Sequence, residues 1–422
     1  MNGLPLEGIR VIDLTISWAG PKVTQCLADM GAEVIKVESI QYVDAQRGRN
    51  RVHPGMCHYA DNEPGQRPWN RYDAANQINR NKLSTTLDLT RPQGTQIFKK
   101  LVAIADVVVD SFSPRVMAKF GLDYDALKAI KHDIIAMSMP AFGMSGPYRD
   151  YISWGNMLEC LVGLASARGY PDSEPFMYHA YSDPICGLTG AFALQLALHH
   201  RETTGEGQFI DLAQLEAFTP LSAELIFDYE MNERIHTPMG NRHSYMAPHS
   251  VYRCRGDDNW IAISVSSDHE WQGLIEALGR PYWAADVKFS TSLSRWQHQD
   301  ELNGLIQAWA CSQDKYEAMH RLQAAGVPAG ALLSEKEQFE NPHLKERGIF
   351  EKVTHPDAGT HFYPGTTWKL SKTPGHIRLP APLLGEHNEL VLGKLLGLSN
   401  EEIATLKANQ IIGDEPVDGA DS

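Results

Sequence analysis

Apolar and polar residues near the start of the chain follow the pattern of a strand, a helix and a second strand. Residues 9–15 and 33–38 are short runs rich in valine and isoleucine, which are typical of buried strands. Between them, apolar residues recur on one side of a helix that should begin near Ala19 and end at Gly31. The pattern therefore predicts a right-handed βαβ unit with parallel strands.

Further apolar runs predict more strands of the same kind, followed by a long helix. Residues 106–110 and 133–139 are short runs of valine, isoleucine and methionine, and 93–103 has helical spacing. A helical pattern then runs from Ile185 to Leu198, and the Thr-Gly-Glu-Gly segment after it should end the helix. Strands that alternate with helices in this way are typical of an α/β fold with a parallel sheet.

The pattern changes in the second half of the chain. Residues 251–254 and 259–265 flank a polar Arg-Gly-Asp-Asp turn, which predicts an antiparallel hairpin, and helical patterns follow it. We therefore expect a Rossmann-like large domain with a parallel sheet and a smaller α+β domain. The predicted division is 1–225 for the first part of the large domain, 226–325 for the small domain, 326–412 for the return to the large domain, and 413–422 for a disordered acidic tail.

Composition narrows the class of protein. A length of 422 residues favours two domains, and 43% hydrophobic with 21% charged residues is typical of a soluble globular protein. No apolar run approaches the roughly 20 residues of a membrane span, and the first residues lack the pattern of an export signal. A net charge of −14 argues against a nucleic-acid partner. We therefore expect a cytoplasmic protein without a membrane segment.

The cysteines and the loop arginines are the next candidates for chemistry. Six cysteines are scattered without a Cys-x-x-Cys pair, which predicts reduced thiols and no metal site. The polar segment 40–78 carries five arginines, which could bind phosphates or a carboxylated substrate, but solvated loop charges are the favoured interpretation. These arginines are Arg47, Arg49, Arg51, Arg67 and Arg71.

The start of the long helix offers the clearest catalytic candidate. Ser182 or Asp183 could cap this helix, and Pro184 suits its first turn. One interpretation of Asp183 is a structural cap. The other is a carboxylate that the helix dipole keeps ionised, with a low pKa, and therefore ready to act as a nucleophile. The first βαβ unit lacks Gly-x-Gly-x-x-Gly, which counts against a dinucleotide-dependent oxidoreductase.

Several motifs, in the same order along nearly the whole chain, resemble the class III CoA-transferases (CaiB/BaiF, formyl-CoA transferase-like). They are the opening "GIRVIDLT…AGP…LADMGAEVIKVE", the "NRNK…LDL" segment, Ser-Asp-Pro with Gly187 behind it, and "APLLGEHNEL" near the end. The resemblance implies that Asp183 is the catalytic nucleophile and that CoA and acyl-CoA are substrates. It also implies an interlocked homodimer and no metal.

The resemblance also implies where CoA is held. The turn after the first strand, the end of the second, the segment near residue 90 and the block after residue 110 should meet the nucleotide, and the loop after residue 139 should meet the pantetheine arm. The resemblance also implies a flexible, glycine-bearing loop at 240–248 that could close over intermediates. Gly240 is the one glycine of this segment. The implied CoA contacts are Trp18, Ala19, Ser39, Leu87, Thr90, Ser111, Phe112, Ser113, Lys119, Pro140, Ala141, Phe142 and Gly143.

The resemblance implies transfer of CoA from an acyl-CoA donor, with succinyl-CoA as a candidate, to a carboxylic acid through aspartyl anhydride and aspartyl-CoA thioester intermediates. One alternative is an acyl-CoA racemase of the same fold, but Gly155 and Asn156 stand where the resembling racemases carry a histidine and an aspartate. Another is a CoA-binding subunit without catalysis, against which Asp183 argues. The acid pair stays open.

Overall fold

The computed structural model describes residues 3–48, 58–175, 177 and 180–417, which form two compact units. The first unit comprises 1–164, 177–234 and 347–422, and the second comprises 165–176 and 235–346. This division differs from the predicted one at 225/226 and 325/326, and the domain prediction itself stays a prediction. Arg49 and Arg51 lie outside the described residues.

Strands and helices alternate through the first unit. Its strands up to residue 232 are β1 (Arg10–Asp13), β2 (Glu33–Glu38), β3 (Lys82–Thr86), β4 (Val107–Asp110), β5 (Ile135–Ser138) and β6 (Phe209–Asp211). Its helices up to residue 232 are α1 (Ala19–Asp29), α2 (Asp73–Ile78), α3 (Pro92–Ala103), α4 (Val116–Lys119), α5 (Tyr124–Ile130), α6 (Gly155–Leu161), α7 (Leu164–Ala167, which crosses the boundary of the unit), α8 (Ser182–Thr204), α9 (Gln214–Phe218) and α10 (Ala223–Asn232).

The later elements belong to both units. The second unit contains β7 (His249–Arg253), β8 (Trp260–Ser264), α11 (Asp268–Ala277), α12 (Ser292–Gln297), α13 (Gln299–Ala310), α14 (Lys315–Ala324), β9 (Ala329–Ala331), α15 (Glu335–Glu340) and α16 (Pro342–Glu346). The chain then returns to the first unit with β10 (Phe350–His355), β11 (Gly359–Pro364), a π-helical segment (Glu389–Leu395) and α17 (Asn400–Ala408).

Strands β1 to β6 form one parallel sheet in the order β3-β2-β1-β4-β5-β6, and β10 pairs antiparallel with β11 in a separate sheet. Neighbouring residues of a strand point to opposite faces, so Val11 joins one apolar core and Ile12 the other. Helices α3 and α5 cover the Ile12 face, and α1 and α8 cover the Val11 face. The prediction of a Rossmann-like α/β fold is confirmed, and the order of strands reverses between β1 and β4.

Buried charges tie β3 to the centre of this sheet. Lys82 Nζ donates to Asp13 Oδ2 at 3.0 Å and to the Pro21 carbonyl at 3.0 Å, and both charged side chains are fully buried. Burial would raise the pKa of Asp13, but the positive charges of Lys82 and Lys36 lower it to about 2. Burial lowers the pKa of Lys82 to about 8. The polar strand is therefore held in the core by ionic hydrogen bonds.

The arginines of segment 40–78 that the structure describes also serve the fold. Arg47 is buried and donates to both oxygens of Glu38, at 2.5 and 2.7 Å. Arg67 pairs with Asp357, and Arg71 donates to the Asp357 carbonyl. The favoured interpretation of solvated loop charges is therefore wrong for Arg47, because a buried guanidinium needs a carboxylate partner.

The second unit is built on a three-stranded antiparallel sheet in the order β7-β8-β9. The predicted hairpin is confirmed as β7 and β8. Helices α11, α13 and α14 cover the sheet around a core that contains Trp271 and Phe289. Its loop near Gly240 makes a backbone hydrogen bond from Gly240 N to the Gly169 carbonyl at 2.8 Å. Closure of that loop stays a prediction.

Two further expectations concern the chain's end and the membrane. In the predicted tail, Gly413 N donates to Thr86 Oγ1 at 2.8 Å, and Val417 N donates to the Ile40 carbonyl at 3.0 Å. Residues 418–422 lie outside the described residues. Among the described helices, none is both long and apolar enough to cross a bilayer.

Candidate active site

Asp183 lies in the first turn of α8. The residue that precedes the helix is Tyr181, and no side chain caps it, so the expectation that Ser182 or Asp183 forms the cap is wrong. Ser182 instead donates its hydroxyl to the Gly155 carbonyl of α6 at 2.8 Å. The Asp183 carboxylate is thus left available for another role. Among the described residues it forms no ion pair.

Helix α6 holds the start of α8 from one side. Gly155 O accepts from Ser182, and one turn later Glu159 Oε1 accepts from the Tyr181 backbone N–H at 2.6 Å. A Cβ added to Gly155 would lie 2.3 Å from Asp183 Oδ1. Only glycine therefore leaves room for the Asp183 carboxylate against α6.

The surroundings of Asp183 raise its pKa to about 6. Burial is the largest cause, because it removes water from the charged form, and the negative charge of Glu159 adds to it. The neighbouring Ser182 hydroxyl opposes both effects. The expectation that the helix start gives Asp183 a low pKa is therefore wrong. Loss of hydration outweighs the helix dipole at this position.

Close packing brings the start of α8 to the turn between β1 and α1. A Cβ added to Gly187, one helical turn after Asp183, would lie 2.9 Å from the Ala19 carbonyl and 2.6 Å from Lys22 Cβ. Trp18 precedes α1 and is half-buried, and Ala19 is its first residue. The glycine therefore places two of the predicted CoA contacts beside the helix that carries Asp183.

The loop predicted to meet the pantetheine arm is linked to the same helix through α9. The carbonyls of Pro140 and Ala141 accept from the N–H groups of Gln214 and Leu215, at 3.2 and 2.9 Å. The Gln214 carbonyl in turn accepts from the Cys186 thiol at 3.2 Å. Phe142 packs edge-on against Tyr148 and Tyr151, and Gly143 has a φ of 84° and is buried.

A cavity of about 350 Å³ opens at the carboxyl ends of β1, β2, β3 and β4. In open α/β sheets this edge, where the order of strands reverses, is where ligands bind. Apolar side chains form much of the wall, and four predicted CoA contacts belong to it. These four are Ser39, Leu87, Thr90 and Phe112.

Hydrogen bonds fix the polar parts of this wall. Ser39 Oγ accepts from the backbone N–H groups of Gln41 and Tyr42 at 3.1 and 3.2 Å. Thr90 Oγ1 donates to Asp88 Oδ1 at 2.6 Å. Neither residue supplies a positive charge to the wall.

Charged residues of the wall were missed by the sequence analysis. Lys36 Nζ donates to the Thr15 carbonyl at 2.7 Å and lies 3.8 Å from Asp44 Oδ2. Burial raises the pKa of Asp44, and the Lys36 charge opposes this. Glu38 also lines the cavity but is occupied by Arg47. For Lys36 and Glu38 the available signal was their position in the last residues of β2, beside the reversal of strand order.

The remaining predicted contacts lie near the cavity but outside its wall. Ser111 Oγ accepts from Ile16 N at 3.0 Å and so joins the ends of β1 and β4. Ser113 lines a neighbouring cavity of about 290 Å³ together with Asp110, whose pKa burial raises to about 7. Lys119 ends α4 and is exposed. Their contact with CoA stays a prediction.

Comparison with known proteins places the chain in a family. The sequence profile described as CoA-transferase family III matches residues 6–388. The succinyl-CoA–D-citramalate CoA-transferase of Chloroflexus aurantiacus is 33% identical over 97% of this chain and 98% of its own length. The succinate–glutarate CoA-transferase of Agrobacterium fabrum is 34% identical over 93% of this chain and 96% of its own.

A solved structure is similar to this chain in both fold and sequence. The crystal structure of a CaiB/BaiF family protein from Brucella suis superposes with a TM-score of 0.82 at 30% identity, over 93% of this chain and all of the other. The resemblance drawn from the motifs is confirmed. The chain belongs to CoA-transferase family III and is a CoA-transferase.

Proposed function

We propose that this enzyme moves CoA from an acyl-CoA donor to a carboxylic acid through covalent intermediates on Asp183. The observation that carries the proposal is the carboxylate of Asp183, half-buried at the start of α8 and set against Gly155 without a described ionic partner. A structural carboxylate in such a place is normally paired, as Asp13 is with Lys82. An unpaired one has its nucleophilic oxygens available.

The reaction then proceeds by alternate attack of carboxylate and thiolate. An Asp183 oxygen attacks the donor thioester carbonyl, and the carbon–sulfur bond breaks to give an acyl–aspartyl anhydride and CoA thiolate. The thiolate attacks the aspartyl carbonyl of the anhydride, which releases the donor acid and leaves an Asp183–CoA thioester. The acceptor carboxylate attacks this thioester, and the returning thiolate then takes the acceptor acyl group. One thioester replaces another, so little free energy is needed overall.

Burial of Asp183 serves this chemistry in two ways. With a pKa of about 6, the carboxylate is mostly ionised at neutral pH, yet it is more basic than an ordinary aspartate and so a better nucleophile. Exclusion of water also protects an anhydride from hydrolysis.

The cavity at the carboxyl ends of β1 to β4 is the proposed seat of the CoA nucleotide. Phe112 and Leu87 offer apolar surface for the adenine ring, and Lys36 supplies positive charge in the wall. Packing of Gly187 on Ala19 links this edge of the sheet to Asp183. The pantetheine arm is proposed to run from the cavity past Ala19 and the loop at Pro140.

The names of the relatives favour succinyl-CoA as the donor. The proteins from Chloroflexus aurantiacus and Agrobacterium fabrum are named for succinyl-CoA with D-citramalate and for succinate with glutarate. The acids in both names, succinate, D-citramalate and glutarate, are dicarboxylic acids. We propose a dicarboxylic acid as acceptor here too, and the cytoplasm, where acyl-CoA and reduced thiols occur together, as the place of action.

We further propose that the enzyme is a homodimer. Helix α8 exposes Leu188, Phe192 and Leu196, which stand four residues apart on one face and are 47%, 65% and 54% exposed. Helix α10 of the same unit exposes the apolar side chains of Ile226, Phe227 and Met231. A second copy of the chain would cover such surface. Light scattering at several concentrations tests this, and a monomer at all of them would refute it.

Mass spectrometry of the covalent intermediate tests the proposed function. The protein is incubated with succinyl-CoA and digested, and the peptide that contains Asp183 is analysed. We expect that peptide to carry CoA in the wild type and to lack it in Asp183→Ala. Acyl-CoA panels extend the test to other donors. No adduct with any donor, in a protein that binds CoA, would contradict the covalent route.

A further inference from the structure

Glu159 is a buried carboxylate, and one of its two oxygens has no hydrogen-bond partner in the described part of the chain. It is 1% exposed, Oε1 accepts from the Tyr181 N–H, and Oε2 is buried without a hydrogen-bond partner in the described residues. No cation forms an ion pair with it among those residues. A buried unpaired carboxylate is costly, and an amide or apolar side chain would cost less. The mechanism above makes no use of it.

Two hydrogen bonds connect α6, which carries Glu159, to the residues just before Asp183. Glu159 and Gly155 are one turn apart on α6, and they hold Tyr181 and Ser182, the two residues that precede Asp183. Gly155 leaves the space that the Asp183 carboxylate fills. Movement of Glu159 would therefore move the turn that aims Asp183.

Other titratable groups on the neighbouring elements do not replace Glu159 as a source of charge. Cys186 on α8 is a neutral thiol, because burial and the Asp183 charge raise its pKa to about 12. Lys22 on α1 directs Nζ to Gln25 Oε1 at 3.0 Å. Glu216 on α9 is exposed to solvent. Burial and Glu159 are the causes that raise the pKa of Asp183.

We propose that Glu159 is a positioning residue of the transfer reaction: it fixes the Asp183 turn through the Tyr181 N–H and presents a second negative charge to the nucleophile. The role rests on the proposed function of Asp183. A carboxylate beside another carboxylate makes the latter more basic, and a more basic carboxylate attacks a thioester more readily. The negative charge of Glu159, whose burial lowers the stability of the fold, thus favours the reaction.

The test measures the rate of CoA adduct formation from succinyl-CoA against pH, in the full-length protein. The wild type should lose activity below a midpoint near pH 6, where Asp183 takes up a proton. Glu159→Gln keeps an oxygen to accept from Tyr181 but removes the charge. We expect its midpoint to fall by about half to one pH unit and its plateau rate to fall roughly tenfold.

Two further variants separate charge from shape. Glu159→Asp keeps the charge on a shorter side chain, so we expect a slower plateau rate with a midpoint above that of Glu159→Gln. Glu216→Gln removes one charge from an exposed site of α9 and should match the wild type. An unchanged midpoint in Glu159→Gln would overturn the proposal, as would an equal shift in Glu216→Gln.

A second readout keeps this inference distinct from the proposed function. If the wild type forms no adduct, the proposed function fails, but the titration of Asp183 can still be followed without catalysis. The effect of Asp183→Asn on the pH dependence of the thermal unfolding midpoint is measured twice, first in the wild-type background and then in protein that carries Glu159→Gln. A smaller effect in the second background supports the charge coupling, and an equal effect overturns it.

Discussion

Asp13, which is buried, and Asp183, which is half-buried, show how two carboxylates of one unit acquire opposite pKa shifts. Asp13 accepts hydrogen bonds from Lys82, Thr15 and Thr24, and its pKa falls to about 2. Asp183 has Glu159 as its charged neighbour, and its pKa rises to about 6. The first carboxylate is held in a structural role, whereas the second retains the basicity that the proposed attack on a thioester requires.

The pH dependence of stability should report the raised pKa of Asp183. Its folded pKa of about 6 lies above the ordinary value of 3.8, so the folded state binds more protons between these limits. Stability contributed by the protonated form is complete below about pH 4 and is lost as pH rises through 6. We expect the thermal unfolding midpoint of the wild type to fall relative to Asp183→Asn over this range.

The comparison with Asp183→Asn isolates this group from Asp110, whose pKa of about 7 gives an effect of the same sign. Differential scanning fluorimetry from pH 4 to 7 provides the measurement. A wild-type midpoint that follows the variant in parallel would show that Asp183 titrates as an ordinary aspartate.

Gly155 should be required for the correct orientation of the Asp183 carboxylate. In Gly155→Ala the new Cβ would meet Asp183 Oδ1 at 2.3 Å, so the carboxylate must move. We expect CoA affinity within about twofold of the wild type but adduct formation slower by roughly 100-fold, because small displacements of reacting groups are costly. Titration calorimetry and rapid quench measure the two quantities.

Gly304→Ala is the matched control for that substitution. Gly304 lies inside α13, and its added Cβ would meet nothing within 4 Å. It should leave the rate unchanged and raise stability by about 0.5–1 kcal/mol through helix propensity. Equal rates in Gly155→Ala and the wild type would contradict the described packing of α6 on Asp183.

At the scale of elements, β3 shows what an apolar pattern does not reveal. Its sequence Lys-Leu-Ser-Thr-Thr looks like surface, yet four of its five residues are buried. Lys82 reaches Asp13, and Ser84 Oγ donates to Glu38 Oε2 at 2.7 Å. Periodicity predicted β1, β2, β4 and β5 because their residues are apolar. It could not predict β3, because partners distant in sequence satisfy its polar groups.

Loss of the Lys82 charge should destabilise the first unit strongly. In Lys82→Met, Asp13 stays buried without its ionic partner, and the free energy of unfolding should fall by roughly 3–5 kcal/mol. Urea unfolding followed by circular dichroism provides the measurement. Lys131→Met breaks the more exposed Lys131–Asp133 pair and should cost less than about 1 kcal/mol. Similar losses in both variants would contradict the account of β3.

The start of α8 was predicted in place but not in detail. Residues 182–184 marked the beginning of the helix, and the family resemblance singled out Asp183. The sequence could not show that α6 would supply the partners of Tyr181 and Ser182, since these contacts depend on tertiary packing. The direction of the Asp183 pKa was missed for the same reason: burial is a property of the fold.

At the scale of the whole molecule, the order of strands determines where the cavity proposed for the nucleotide lies. The reversal between β1 and β4 leaves a cavity at their carboxyl ends, and the βαβ pattern at the start of the chain already predicted half of that arrangement. The sequence did not predict that Lys36 and Asp44 line this cavity, because that depends on how the chain folds.

Phe112 should contribute to CoA binding but not to the covalent step. Its side chain lines the cavity after β4, where it can stack on the adenine ring. We expect Phe112→Ala to weaken CoA binding roughly tenfold by calorimetry, as loss of an aromatic partner for a base does. Asp183→Ala should bind CoA as the wild type does. Unchanged affinity in Phe112→Ala would place the nucleotide elsewhere.

Transfer of oxygen from the acceptor acid to Asp183 tests the central claim most directly. The Asp183–CoA form is mixed with an acceptor whose carboxylate carries ¹⁸O, and the Asp183 peptide is weighed after one turnover. Attack of the acceptor on the thioester, followed by thiolate attack on the acceptor carbonyl, leaves one labelled oxygen in the Asp183 carboxylate. We predict that the peptide gains this label. A product acyl-CoA formed without label in Asp183 would contradict the anhydride route.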